Sequence, residues 1–233
     1  MLFDSIRPER VFFYAIISLF ESMNDIWKNY KKVLYEKLDI EKSPAEEWAR
    51  WSGKSLELIA TNYKPSEDSY ILKSREVEIW NDKTCIYNNI IYPRTGSNIP
   101  CLGVDLMMFF PKKVVIVFDF QHPQENYNYS VPSLPKCGKD IRFFEPGNHF
   151  SENLFIRKCT SEEVDNFLED FTNYVNHFKN ILEDSKPTGN DTSEYSDFDS
   201  YMTKLDPVAG YLQSNFGKEK TEDLVQNFLF EYQ

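Results

Sequence analysis

Leu102-Gly-Val-Asp-Leu-Met-Met-Phe-Phe110, the turn Pro111-Lys112, and Lys113-Val-Val-Ile-Val-Phe-Asp-Phe-Gln121 decide how this chain is read. Both runs are short and rich in β-branched and aromatic residues. A two-residue connection joins antiparallel strands, whereas a parallel crossover needs about a dozen residues or more. Upstream, Cys85–Tyr92 and Glu76–Trp80 have the same composition. Turn-forming stretches separate the runs: Asn81-Asp-Lys83 and Pro93-Arg-Thr-Gly-Ser-Asn98. These segments predict an antiparallel meander. Phe143-Phe144 and Asn153–Arg157 are candidates for one or two more strands.

Helical patterns lie on both sides of the meander. Residues 11 to about 38 carry an apolar stripe through Phe13, Ile16, Ile17, Phe20, Met23, Trp27, Tyr30 and Leu34. The run Val11–Phe20 within it is about half the length of a membrane span, so a buried amphipathic helix is expected. Ser43-Pro-Ala-Glu46 has capping-box spacing and predicts a second helix, with Trp48, Trp51, Leu56 and Ile59 facing inward. Thr160-Ser-Glu-Glu163 is another capping box, opening a long helix whose apolar face runs from Val164 to Leu182. The polar, acidic stretch Glu183–Asp197 predicts a mobile loop, and helices resume near Tyr201 and Thr221. Helices before and after one sheet imply a single domain over residues 1–233, a three-layer α/β/α sandwich with a central antiparallel β-sheet.

The formal net charge of −11 argues against non-specific nucleic-acid binding, which needs a basic footprint. The four cysteines, Cys85, Cys101, Cys137 and Cys159, show no CxxC spacing. The three histidines, His122, His149 and His177, form no zinc-binding pattern, so no bound metal is expected. With no secretion signal read, free thiols in a cytoplasmic setting are expected.

Asp105 is the one acid in the run Leu102–Phe110. Burial disfavours ionisation, and a carboxylic acid kept protonated near neutral pH is a proton donor. An aspartate satisfied by backbone donors or a neighbouring cation is the competing reading. Alternation puts Cys101, Gly103, Asp105, Met107 and Phe109 on one face. If a hairpin closes at Tyr92 and Cys101, Asn88 falls opposite Asp105, with Cβ atoms roughly 5 Å apart. Gly103 beside them leaves room for a ligand or another backbone.

The C-terminal segment reads Lys204-Leu-Asp-Pro-Val-Ala-Gly-Tyr-Leu-Gln-Ser-Asn-Phe-Gly217, then Thr221-Glu222 and Phe228-Leu-Phe230. With Ile99-Pro-Cys-Leu-Gly-Val-Asp105, Asn88-Asn-Ile-Ile-Tyr-Pro93 and Ser151–Arg157, it resembles the ferredoxin-dependent bilin reductases over roughly residues 75 to 233. The resemblance implies the sandwich fold, with biliverdin IXα held between the sheet and the C-terminal helices. It also implies single electrons from reduced ferredoxin, bilin radical intermediates and no permanently bound cofactor. Asp105 matches the family's sheet aspartate. Asp206 matches the second aspartate of the phycoerythrobilin-forming branch, although Asp before Pro is also a common helix N-cap. Asn88 stands where the phycocyanobilin-forming branch has histidine, which argues against phycocyanobilin as product.

Within the family the chain resembles phycoerythrobilin synthases of the type carried by cyanophages. That implies a four-electron reduction of biliverdin to phycoerythrobilin through 15,16-dihydrobiliverdin in the cytoplasm. Asp105 would serve the C15–C16 bridge and Asp206 the A-ring. Two alternatives stand beside it: a two-electron reductase stopping at 15,16-dihydrobiliverdin, and a non-catalytic bilin-binding protein. For the propionates, Arg142, Arg157, Lys158 and Lys204 are candidates. Ferredoxin is acidic, so Lys112-Lys113 and Lys31-Lys32 are candidate docking patches.

Overall fold

A computed structural model describes residues 26–40, 43–111, 113–125, 127, 129–134, 148–191, 193–205 and 209–230. One seven-stranded sheet organises them, every strand lying beside its sequence neighbour. The strands are β1 (Ala45–Ser52), β2 (Glu57–Tyr63), β3 (Ile71–Trp80), β4 (Thr84–Pro93), β5 (Cys101–Phe109), β6 (Lys113–Gln121) and β7 (Phe155–Cys159). All six pairings are antiparallel. The predicted meander is present, and two strands precede it. Phe143-Phe144 lies outside the described residues.

Those first two strands replace the helix expected after Ser43. Trp48 and Trp51 are three apart, which suits one face of a helix. A bulge between Glu47 and Ala49 supplies an extra residue at Trp48 in β1. An extra residue on a strand puts positions of odd spacing on one face. Trp48 reaches Phe228 at 4.9 Å between ring centroids, and Trp51 reaches Phe216 at 5.6 Å. The bulge thus mimics a helical period.

Helix α1 (Lys28–Leu38) buries Tyr30, Leu34 and Leu38 on one stripe. The Thr160 capping box forms as expected, but it opens a 3-10 turn, Ser161–Phe167. That turn runs into α2 (Leu168–Ser185), which buries Phe171, Tyr174, Val175, Phe178 and Leu182. Helices α1 and α2 share one face of the sheet and seal a single continuous core. Its centre is aromatic: Phe118 stacks on Phe155 at 4.1 Å, and Tyr174 meets Phe118 at 4.6 Å and Phe120 at 5.0 Å.

The other face meets α3 (Ser196–Leu205), α4 (Ala209–Phe216) and α5 (Lys218–Leu224), which continues as a π-helical turn over Val225–Leu229. Here the apolar contacts break into three smaller clusters. The acidic stretch before α3 is pinned rather than loose. Thr95 and Gly189 exchange backbone hydrogen bonds of 3.2 and 2.8 Å. Tyr195 beyond them is fully buried.

Candidate active site

Along β5, Leu102, Val104, Leu106 and Met108 point into the continuous core under α1 and α2. Asp105 points the other way and is half-buried. The apolar run therefore does not enclose the carboxylate, as its sequence neighbours suggested. Strand alternation sends those neighbours to the opposite face. Asn88 on β4 pairs directly with Asp105, and Val117 on β6 flanks it from the other side. Asn88 and Met107 are also half-buried. An amide and a carboxyl thus lie side by side on a partly open polar strip. The three apolar clusters border it.

Several polar side chains on this face escaped the sequence reading, and Asp119 is the first. Asp119 pairs with Gly103 across β5 and β6, on the same face as Asp105. It is 1% exposed. Its Oδ2 accepts the Ser151 amide at 3.0 Å, and the Ser151 hydroxyl donates to Oδ1 at 2.5 Å. Burial outweighs these bonds and pushes its pKa up to about 8. Asp119 is thus the sealed, proton-holding acid that the sequence suggested for Asp105. Its signal was present, since Val114–Phe120 is apolar apart from Asp119.

Gln121 is the second. It pairs with Cys101 at the end of β6 and leans over Gly103. A Cβ at position 103 would stand 2.6 Å from the Gln121 Cδ. The room expected beside Asp105 is therefore filled by this carboxamide.

Toward the C-terminal helices, the same face carries two buried cations. Lys73 lies 4.5 Å above the Tyr92 ring, and Arg75 donates to the Phe228 carbonyl. Tyr92 in turn donates to Asp199 on α3 at 2.7 Å. Burial, followed by the Asp199 charge, raises the Tyr92 pKa and keeps the phenol protonated. These contacts fasten α3 and the C-terminal turn to the sheet.

The remaining sequence candidates are scattered. Arg157 pairs with Ile116, a core residue, and covers the Phe155 ring at 4.3 Å. It is therefore on the α1/α2 face, away from Asp105. Lys158 and Lys204 are exposed, Lys204 near the end of α3. Arg142 and Asp206 lie outside the described residues. Lys31 turns inward and bonds Glu78 at 2.9 Å, while Lys32 is exposed beside Glu36. Lys113 is exposed, and Lys112 is outside the described residues.

Among the described residues no His, Cys, Asp and Glu side chains gather in a group suited to a metal ion. His122 accepts the Gln124 amide on Nδ1 at 3.0 Å, which leaves Nε2 to donate to the Asn98 carbonyl at 3.0 Å. His149 meets the His122 carbonyl through Nδ1 at 2.8 Å. Among the described residues no helix is long and apolar enough to cross a membrane.

Known proteins are similar to this chain. A phytochromobilin synthase from tomato, solved in complex with biliverdin, has a similar fold. Its TM-score is 0.59 at 17% identity, over 86% of this chain and 82% of that one. The 15,16-dihydrobiliverdin:ferredoxin oxidoreductase of Nostoc punctiforme is 29% identical, over 63% of this chain and 68% of its own length. The phycoerythrobilin:ferredoxin oxidoreductase of Prochlorococcus marinus subsp. pastoris is 26% identical, over 91% of this chain and 96% of its own length. The sequence pattern of the ferredoxin-dependent bilin reductases matches residues 71–231, from the first residue of β3 through the C-terminal turn. With that match over most of its length, the chain belongs to the ferredoxin-dependent bilin reductase family.

Proposed function

We propose that this protein reduces biliverdin IXα to phycoerythrobilin by four electrons, through 15,16-dihydrobiliverdin, in one active site on the Asp105 face of the sheet. Each of the two reductions takes two electrons, delivered singly by reduced ferredoxin, and two protons. The observation that carries the reading is the Asn88–Asp105 pair on a partly open polar strip. An acid there is accessible to a flat ligand and can reload its proton from solvent. Similarity to relatives named for 15,16-dihydrobiliverdin and for phycoerythrobilin supports an enzyme that performs both reductions.

In this mechanism Asp105 donates to the bilin radical at the C15–C16 bridge. Asn88 holds the Asp105 carboxyl and the ligand in register without contributing a proton of its own. Asp206, which follows the last residue of α3, donates at the A-ring. Of the cations considered for the propionates, Lys158, Lys204 and Arg142 are retained, because Arg157 projects from the opposite face. Bordering aromatic and aliphatic clusters exclude water from the radical. The setting is cytoplasmic, where reduced ferredoxin is available.

Anaerobic turnover of biliverdin with reduced ferredoxin, followed by separation of the products, tests the reading. Phycoerythrobilin is the expected end product, with 15,16-dihydrobiliverdin rising and then falling. Accumulation of the dihydro compound alone would replace this reading with a two-electron reductase. Tight binding with no ferredoxin-dependent spectral change would leave a bilin carrier.

A further inference from the structure

The Gln121 carboxamide is an unusual group for a strand end. The residue is 7% exposed, yet its Oε1 has no hydrogen-bond partner among the described residues. Buried carbonyl oxygens are nearly always paired, because leaving one unpaired forfeits its hydration without return. The carboxamide is also held in place. It lies flat over Gly103, where any side chain would displace it. Gly103 is two residues from Asp105 on the same strand face, about 7 Å along the strand.

We infer that Gln121 is a recognition residue for a terminal lactam ring of the bilin, an inference that rests on the bilin-reductase reading above. A lactam is a cis amide with its N–H donor and C=O acceptor on one edge. A carboxamide has the complementary edge. Oε1 accepts the lactam N–H while Nε2 donates to the lactam oxygen, and exchanging O and N in the side chain only reverses which atom meets which. The unpaired oxygen is thereby satisfied when the ligand arrives. Two hydrogen bonds also fix one end of a flexible tetrapyrrole in the plane above Gly103. The adjoining rings then lie over Asp105. Gly103 is required because only a residue without Cβ lets the carboxamide lie that low. Gln121 acts by positioning; it transfers no proton.

The test is an absorbance titration of the whole protein with biliverdin, alongside Gln121→Met. Methionine keeps the length and removes both polar atoms. The variant is expected to melt no lower than wild type, since the lost acceptor has no partner among the described residues. It should bind biliverdin about tenfold more weakly and shift the long-wavelength band of the bound bilin. A lactim ether of biliverdin, which lacks the lactam N–H, should lose about tenfold against wild type and little against the variant. Equal affinity and an unchanged band in Gln121→Met would overturn the inference. Should that variant fail to fold, the lactim ether decides alone, and wild-type affinity equal to that for biliverdin overturns it. If wild type binds no biliverdin, the bilin reading itself fails, an outcome separable from failure of the Gln121 assignment.

Discussion

The two faces of the sheet are built for different purposes. Under α1 and α2, the side chains of β3 to β7 join one unbroken core. Under α3 to α5, the apolar contacts fall into three clusters. Between them stand Asn88, Asp105, Asp119 and Gln121. The same strands feed both faces, residue by alternate residue. The first face holds the sheet rigid, so the second can leave Asn88 and Asp105 incompletely covered and still place them accurately. One polar network does lie beneath α1, where Glu76 meets Tyr35 and Lys31. There a buried carboxylate is surrounded by partners. Burial still raises its pKa, with Lys31 opposing.

If the faces divide labour in this way, substitutions should separate activity from stability. The largest effect is expected for Asp105→Asn. Loss of a general acid should lower turnover by about 10²–10⁴-fold with the melting temperature nearly unchanged. A persistent paramagnetic signal should appear after the first electron. Wild-type turnover would remove Asp105 from the chemistry.

Phe118→Ala tests the other face. Phe118 is fully buried against Phe155, Phe171 and Tyr174. Denaturant unfolding should show a loss of about 3–5 kcal/mol, while the folded fraction binds biliverdin normally. A specific loss of bilin affinity with intact stability would contradict the division.

Asp206→Asn should change the product rather than the fold, with 15,16-dihydrobiliverdin accumulating and phycoerythrobilin absent. An unchanged product profile would remove Asp206 from the mechanism.

The last test concerns the pH dependence that Asp119 confers. Unfolded, it ionises near pH 4, the ordinary carboxylate range; folded, it does so at about 8. Between those values the folded chain holds a proton that the unfolded chain has released. Its contribution to stability therefore falls as pH rises from about 4 to about 8, and is level beyond. Asp119→Asn keeps an oxygen acceptor for Ser151 and removes the titration. Its unfolding free energy should lose less between pH 5 and pH 8 than that of wild type. Parallel pH profiles would show that Asp119 does not titrate in that window.

The meander, the helix carrying the Thr160 box and the opposition of Asn88 to Asp105 were all legible from period, turn residues and hairpin arithmetic. These are local matters: alternation fixes a face, and a short turn fixes a register. The helix expected after Ser43 fails because the bulge at Trp48 gives two tryptophans a helical spacing on a strand. Arg157 was misplaced because counting residues along β7 says nothing of which face a family motif serves. The roles of Asp119 and Gln121 were hidden for the same kind of reason. Only the pairing of β6 with β5 sets one beside Gly103 and lays the other across it.

By itself, then, the order of residues determined the meander of β3 to β6, how β4 meets β5, and which family the C-terminal motifs point to. The tertiary structure decided which acid is sealed and which is accessible. Burial is a property of what packs above a side chain, and on this face the cover comes from residues distant in the chain, such as Ser151 over Asp119.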